Sequence, residues 1–412
     1  MKKLCLLLLC TFSLKTLAQQ TDTVFLKKIL ESHPDLFQGI LNHPMHNEVQ
    51  LLYTQIDRDK RNLPHFTSYS YHLNPKRYFY PASTVKLPTL IFALEKIHEL
   101  HIKGLTKESV MLTDSSFRGQ TRVTKDTSAK NGLPSIANYC KKILLVSDND
   151  AYNRLYEFVG REEINKKLQK YGFKGSRILG RLAVGDGDDR ARHTNPIRFY
   201  NGDKLIYTKP EQVDNNDYPV DVENLLQGKG YIDRNGNLVM KPFDFTDKNV
   251  YPLNDQQALL KRLLFPEAFP KSERFNLTHE DYKFIYKYMS MYPTESEKPT
   301  YHRPEYFPAY CKFLFYGGDS SAVNPDIRIF NKIGDSYGYD IDNAYIVNFK
   351  TKTEFILSAV IQSNEDGIYN DDKYEYATVC LPFMKNIAQV LYQYELKRPR
   401  KYFGDLHQYK QN

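Results

Sequence analysis

The stretch YFYPASTVKLPTLIFALEKI, residues 78–97, decides how the rest of the chain is read. It sets Ser83 three positions before Lys86, at the mouth of an apolar helix predicted from about Ser83 to Leu100. Leu87, Leu90, Ile91, Leu94 and Ile97 share one face, so this helix packs deeply. Pro88 lacks an amide donor, which an early turn tolerates better than a helix centre. Residues three apart on a helix also face the same way. Two readings of Ser83 and Lys86 then stand side by side. Either Ser83 caps the helix and Lys86 is solvated, or Lys86 takes the Ser83 proton. The second reading needs an uncharged amine. Lowering a lysine from about 10.4 to about 7 costs roughly 4–5 kcal/mol, which requires burial and a nearby cation. This is the only Ser-x-x-Lys in the sequence, and it leads straight into an apolar run.

Two further stretches bear on the choice. In LLVSDNDAYNRLYEFVG, residues 144–160, Ser147, Asp148 and Asn149 separate one apolar helix from the next. A hydroxyl and an amide there can relay a proton and hold a substrate carbonyl, or the stretch is a loop with Ser147 or Asp148 as N-cap. In NKIGDSYGYDIDNAYIVNF, residues 331–349, Lys332 leads into Gly334 and then an apolar strand. A glycine on an edge strand lets a substrate approach the backbone. Lys-x-Gly also occurs at 130 and 170, so the strand context selects Lys332.

Around these stretches the chain reads as mixed α and β. Residues 22–41 are predicted helical, and EVQLLYTQID and HFTSYSYHL form two strands joined by RDKRNLP. Residues 105–175 read as mainly helical, with REEINKKLQKYGFKG ending at C-capping glycines. Composition shifts to Tyr, Pro, Asn and Asp over about 200–275, with a hairpin turning at Asn235-Gly236. The helix EDYKFIYKYMSMY follows, then strands in IRIFNKIGDSYGY, NAYIVNF and EFILSAVIQS, and a last amphipathic helix over 374–396. Two early and three late strands are expected to join in one five-stranded antiparallel sheet, flanked by the N- and C-terminal helices. The central helices form an inserted lobe, and the cleft between lobes is the expected site.

The chain has 412 residues, 41% hydrophobic and 26% charged, an ordinary globular composition that allows one large domain or two to three smaller ones. Residues 1–18 read as a secretory signal peptide, with a basic start, an apolar run and a small residue at Ala18. Export to the periplasm or exterior is expected. Leu8 and Leu9 stand before Cys10, where a lipid-anchored cysteine prefers small residues, so lipidation is disfavoured. No later run reads as a membrane span. Without the signal the formal charge falls from +8 to about +5, because Lys2, Lys3 and Lys15 leave with it. The basic residues are dispersed, which argues against a nucleic-acid binder. Cys140, Cys311 and Cys380 remain, an odd number that makes no disulfide framework; they are expected half-buried, with at most one bridge. No His/Cys cluster has zinc spacing, so no metal or other cofactor is expected. The 32 tyrosines and absent tryptophan suggest an aromatic surface for sugars or peptides.

Taken together, Ser-x-x-Lys, Ser-Asp-Asn and Lys-x-Gly, in this order, resemble the class A β-lactamase and penicillin-binding protein superfamily. The resemblance spans about 45–200 and 325–396 and includes the residues flanking each motif. It implies a transpeptidase-like α+β fold. Within it, 19–104 and 325–400 make the α/β lobe, 105–200 the helical lobe and 201–324 an insertion. It also implies roles. Ser83 would be the acylated nucleophile and Lys86 its base or part of a relay. Ser147 would pass a proton to the leaving nitrogen, and Asn149 would bind the substrate amide. Lys332, with Gly334 on its strand, would supply positive potential for a substrate carboxylate and help keep Lys86 neutral. The backbone N–H groups of Ser83 and Asp335 would form an oxyanion hole.

Three departures set the chain apart. Ile333 replaces the threonine of Lys-Thr-Gly, removing a hydroxyl. The stretch RLAVGDGDDRARHTNP, residues 181–196, has no glutamate to activate the deacylating water; Asp186, Asp188 and Asp189 are shorter substitutes or parts of a plain turn. The 201–324 segment is long, and is expected either to rim the cleft or to decorate a distant surface. The expected function is an exported serine hydrolase cleaving a β-lactam or peptidoglycan-like amide through acyl-Ser83. A DD-peptidase, an esterase or a non-catalytic envelope-binding protein are the alternatives.

Overall fold

The computed structural model describes residues 23–42, 46–185, 189–321 and 323–410. The expected signal segment lies outside these residues, as do Asp186 and Asp188. Five antiparallel strands form the central sheet, in the spatial order Ile327–Ser336, Tyr339–Asn348, Thr353–Gln362, Gln50–Arg58, Pro64–Tyr71. The two early strands thus extend the late meander through the pairing of Gln50–Arg58 with Thr353–Gln362. Registry pairs Lys332 with Asn343, Ala344 with Leu357, and Tyr53 with Leu357 and Tyr69.

The strands Tyr339–Asn348 and Thr353–Gln362 are buried at every position. The period of two explains why they read as apolar runs instead of alternating. Tyr345, Val347 and Ile356 enter one core together with the central helices. Ala344, Ile346, Phe355 and Leu357 enter a second core under the terminal helices. The sheet is covered on both faces.

Helix Lys86–Glu99 is the hub of the first core, with Lys86 through Ile97 all buried. Pro88 is its third residue, where no intrahelical acceptor waits for an amide. The α-helix begins at Lys86. Ser83 lies in the preceding 3₁₀ turn, Ala82–Val85, so the predicted start was one turn early. Residues 24–42 form two helices, Val24–Glu31 and Pro34–Asn42, divided before Pro34. The stretch 105–175 is less helical than expected, with strand Val110–Thr113 and a long loop preceding helices Ile136–Val146, Asn149–Val159 and Arg161–Lys170.

The 201–324 segment is not a single appended body. Helix Leu253–Leu264 puts Leu259, Leu260, Leu263 and Leu264 into the first core. Its Gln257, wholly buried, donates to Leu52 O at 2.7 Å and Ser358 Oγ at 3.0 Å and accepts from Thr54. Helix His279–Ser290 packs into the same core through Ile285, Tyr286 and Met289. The hairpin is as predicted, Gly230–Ile232 with Leu238–Val239, and Gly236 holds a positive φ in its turn. Cys140, Cys311 and Cys380 are buried and unbridged, where half-burial and a possible bridge were expected.

Candidate active site

The chain reaches Ser83 through a strained turn. Ala82, just before it, has φ +47°, a left-handed conformation that costs a residue bearing a Cβ about 1 kcal/mol or more. The turn leaves Ser83 partly exposed and drives Lys86 inward, to zero exposure. The edge strand Ile327–Ser336 lies directly against it. A Cβ on Gly334 would stand 2.9 Å from Pro81 O and Ser83 N and 3.0 Å from Thr84 N. The missing side chain of Gly334 therefore makes room for the serine turn, whereas the sequence suggested room for a substrate.

Ser147 and Asp148 form a hinge between two helices. Ser147 closes helix Ile136–Val146 in the left-handed conformation, φ +59°. Asp148 caps the next helix by accepting from Ala151 N at 2.7 Å. The Ser-Asp-Asn triplet is thus a C-cap, an N-cap and a first helical residue, and the turn aims Ser147 and Asn149 at Lys86.

Lys86 Nζ donates to Ser147 O, to Asn149 Oδ1 at 2.7 Å and to Ser147 Oγ at 3.3 Å. Lys332 Nζ donates to Ser147 Oγ at 2.7 Å and to Ile333 O at 2.8 Å. Ser147 Oγ bridges the two lysines, accepting from both. Burial, then the neighbouring Lys332 charge, pushes Lys86 well below the ordinary lysine value, although nearby carboxylates oppose it. Burial brings Lys332 down to about 8. A neutral Lys86 has a lone pair but three acceptors around it. The longest contact, to Ser147 Oγ, is the one that can reverse, with the hydroxyl donating. Ser83 Oγ has no hydrogen-bond partner among the described residues.

A cleft of about 660 Å³ opens in front of Ser83. Ser83, Ser147, Asn149, Ile333 and Asp335 lie on its wall, while Lys86, Lys332 and Gly334 sit behind it. Surrounding protein pushes the Asp335 carboxyl up, against the pull of both lysines, though the residue itself is exposed to the cleft. The structure thus brings together all seven residues singled out from sequence.

Part of the 201–324 segment rims the cleft, one of the two positions expected for it, although the residues it places there were not singled out. Tyr306, Tyr310 and Cys311 come from the 201–324 segment, and Tyr80 and Tyr337 complete the rim. Tyr301, Tyr306 and Tyr310 form an edge-on ladder with ring centroids 4.9 and 5.0 Å apart. Tyr80 meets Tyr337 at 4.8 Å. The tyrosine-rich composition was the signal for its aromatic character. The ladder is pinned by buried Lys312, which donates to Met289 O at 2.8 Å, Ile329 O at 2.9 Å and Asn331 Oδ1 at 2.7 Å. Asn331 in turn donates to Cys311 O and to Asp342.

Of the proposed substitutes for a deacylating glutamate, Asp189 pairs with Arg118 at the surface. Two glutamates contact this loop among the described residues: Glu211 pairs with His193 Nδ1 at 2.7 Å, and Glu157, buried, accepts from Arg181 Nη1 at 2.8 Å and from Asn195 N. Both tether the loop and neither lines the cleft.

Residues 46–216 match the model of the beta-lactamase enzyme family. That segment carries Ser83, Lys86 and the Ser147–Asn149 triplet and ends before Lys332. No curated protein matches the sequence. Among solved structures, a beta lactamase from Xanthomonas campestris overlays with a TM-score of 0.49 at 12% identity, covering 89% of this chain and 98% of that one. A beta-lactamase from Sphaerobacter thermophilus overlays with a TM-score of 0.48 at 12% identity, covering 90% and 98%.

Proposed function

We propose that this chain is a serine hydrolase of the β-lactamase/transpeptidase-like superfamily, working through an acyl-Ser83 intermediate, a reading supported by the match of residues 46–216 to the beta-lactamase enzyme family. The observation that carries this is the wholly buried Lys86, held by Ser147 and Asn149 one turn from a cleft-facing Ser83. Lys86 takes the Ser83 proton as Oγ attacks an amide carbonyl. The backbone N–H groups of Ser83 and Asp335 receive the oxyanion, each worth about 3–4 kcal/mol in the transition state. Ser147, held by two lysines, passes a proton to the leaving nitrogen and regains one from Lys86, which returns to its neutral form. Asn149 stays exposed enough to meet the substrate while accepting from Lys86.

The acyl group leaves slowly in this reading, because no glutamate is among the described residues that line the cleft with Ser83. That favours a penicillin-binding or DD-peptidase-like enzyme, or an esterase, over a fast β-lactamase. We further propose that residues 1–18 are removed on export and that 19–412 act as one hydrolase domain.

Labelling with a fluorescent penicillin and with a fluorophosphonate tests the reading. Both tags should map to Ser83 and vanish in Ser83→Ala, and a penicillin tag should persist for hours with little nitrocefin turnover. If neither reagent marks Ser83, the protein is a binding module on this scaffold. The unpartnered Ser83 Oγ and Ile333 are the features that favour that second reading.

A further inference from the structure

We propose that the cleft continues past Tyr80 and Tyr337 into a side chamber that binds an anionic group, in the simplest case a carboxylate at the far end of the acyl chain, and that Arg161 receives it. This rests on Ser83 being the acylated nucleophile.

The chamber has a volume of about 370 Å³ and shares Tyr80, Ala183 and Tyr337 with the cleft. Tyr80 and Tyr337, with ring centroids 4.8 Å apart, form the threshold. Ser147 and Asn149 line the cleft but not the chamber. Ser147 serves the leaving nitrogen, so the part of a substrate that reaches the chamber is the part that stays on Ser83. The anion held there is distinct from any carboxylate drawn to Lys332, which sits beside Ser147 at 2.7 Å. Two stretches build the chamber walls, 177–183 and, from the long segment, 247–250. Arg177 and Val250 exchange backbone hydrogen bonds of 2.9 Å in both directions. Asn249 Oδ1 accepts from Leu179 N at 2.7 Å and from Gly180 N at 3.3 Å. The chamber is thus a fixed part of the fold, made by the 201–324 segment.

Arg161 points to what the chamber holds. It lies in the chamber wall and is only 5% exposed. Its Nη1 donates to Asp214 Oδ2 at 3.1 Å, Asp214 O at 3.2 Å and Asn216 O at 3.0 Å. The Tyr218 ring, 5.1 Å from the guanidinium carbon, fixes it further. Its Nε is buried without a partner, and Nη2 donates to no group among the described residues. Donors left unused on a buried guanidinium are costly, and a carboxylate is the acceptor that its planar fork fits best. The other charges agree. Arg181, Arg192 and Lys248 also line the chamber, and Asp247 is the one carboxylate among the described lining residues. Asp214 and Glu157, which offset Arg161 and Arg181, lie behind the wall. Arg192 meets Asp217 at 3.3 Å, but that carboxylate is exposed and screened by water.

Thioesters whose acyl chains lengthen one methylene at a time, each ending in a carboxylate or in the matching carboxamide, test the proposal. Acylation transfers the acyl group to Ser83 Oγ and releases the thiol, and acyl-Ser83 is followed by mass spectrometry. Beyond a threshold length the carboxylate donor should react at least about tenfold faster than its carboxamide, and below that length the two should react alike. In Arg161→Gln the ratio should fall at least about fivefold, and in Arg192→Gln about twofold. No carboxylate advantage at any length, an advantage independent of length, or a ratio unchanged in a folded Arg161→Gln would overturn the proposal. Should Arg161→Gln not fold, the wild-type length dependence and Arg192→Gln decide. A fluorophosphonate too short to reach the chamber reports on Ser83 itself. If it leaves Ser83 unmarked, the nucleophile assignment falls and the chamber's role falls with it, whereas a marked Ser83 without the carboxylate preference sinks the chamber alone.

Discussion

Lys86 is a lysine without water, facing three oxygen acceptors and one neighbouring cation. Its amine is pushed toward the neutral form, so its ability to accept a proton should be lost on replacement by a side chain that is always charged. Lys86→Arg is expected to lower the rate of Ser83 labelling by about 10²–10⁴ with the fold retained, read by labelling kinetics beside circular dichroism. Lys332 shows the stability cost of the same device. Its folded value, about 8, lies below the ordinary 10.5, so the unfolded chain binds more protons between those limits. The stability that this group contributes is full above 10.5 and falls as pH drops toward 8, by about 3 kcal/mol in all. Urea unfolding of Lys332→Met should lose that share of the rise in stability between pH 8 and 10.5; an unchanged rise would count against the burial of the amine. Gly334→Ala would press a Cβ into the backbone at Pro81, Ser83 and Thr84. Labelling of Ser83 should drop by about 100-fold, since small displacements of a nucleophile are costly.

At the scale of elements, the site is a meeting of three pieces that do not touch in sequence: the 3₁₀ turn before helix Lys86–Glu99, the hinge between helices Ile136–Val146 and Asn149–Val159, and the edge strand Ile327–Ser336. A fourth, the tyrosine ladder, is fastened to the strand and to the end of helix His279–Ser290 by Lys312. Leu314 N adds a bond to Asp342 Oδ2 at 2.9 Å. Replacing Lys312 by Met leaves three buried acceptors unpaired. We expect a loss of about 2–4 kcal/mol in urea unfolding, together with slower Ser83 labelling as the ladder loosens. A variant as stable as the parent would show that the clamp is incidental.

At the scale of the whole molecule, two cores share one sheet. The first holds the central helices and the second holds the terminal ones. Helix Leu381–Lys397 buries Phe383, Met384, Ile387 and Leu391 in the second core. At about 1.5–3 kcal/mol each, these four side chains contribute roughly 6–12 kcal/mol, comparable to the total stability of a domain. A chain ending after Cys380 is therefore expected not to fold, seen as loss of the cooperative thermal transition and as rapid proteolysis. The helix also carries buried Glu395, which accepts from Tyr53, Arg398 and Arg400; the truncation removes the carboxylate and both arginines and leaves the buried Tyr53 hydroxyl without that acceptor.

Periodicity and local motifs carried much of this in the sequence. Strands buried on both faces show as unbroken apolar runs, and the Ser-x-x-Lys, Ser-Asp-Asn and Lys-x-Gly triplets are short enough to be read where they stand. That two early and three late runs share one sheet could be read from their need for partners, but their order in it could not. What the sequence could not hold was the reach between segments. Gly334 is explained by a backbone some 250 residues earlier in the chain. The strain at Ala82 is invisible because alanine has no sequence mark for a left-handed turn. The tyrosine wall reads as loop composition until Lys312 and Asn331 tie it across the cleft. Local patterns fix which residues can form helices, strands and turns. Charge, burial and approach at the site are set by neighbours distant in sequence, and only the packed chain brings those together.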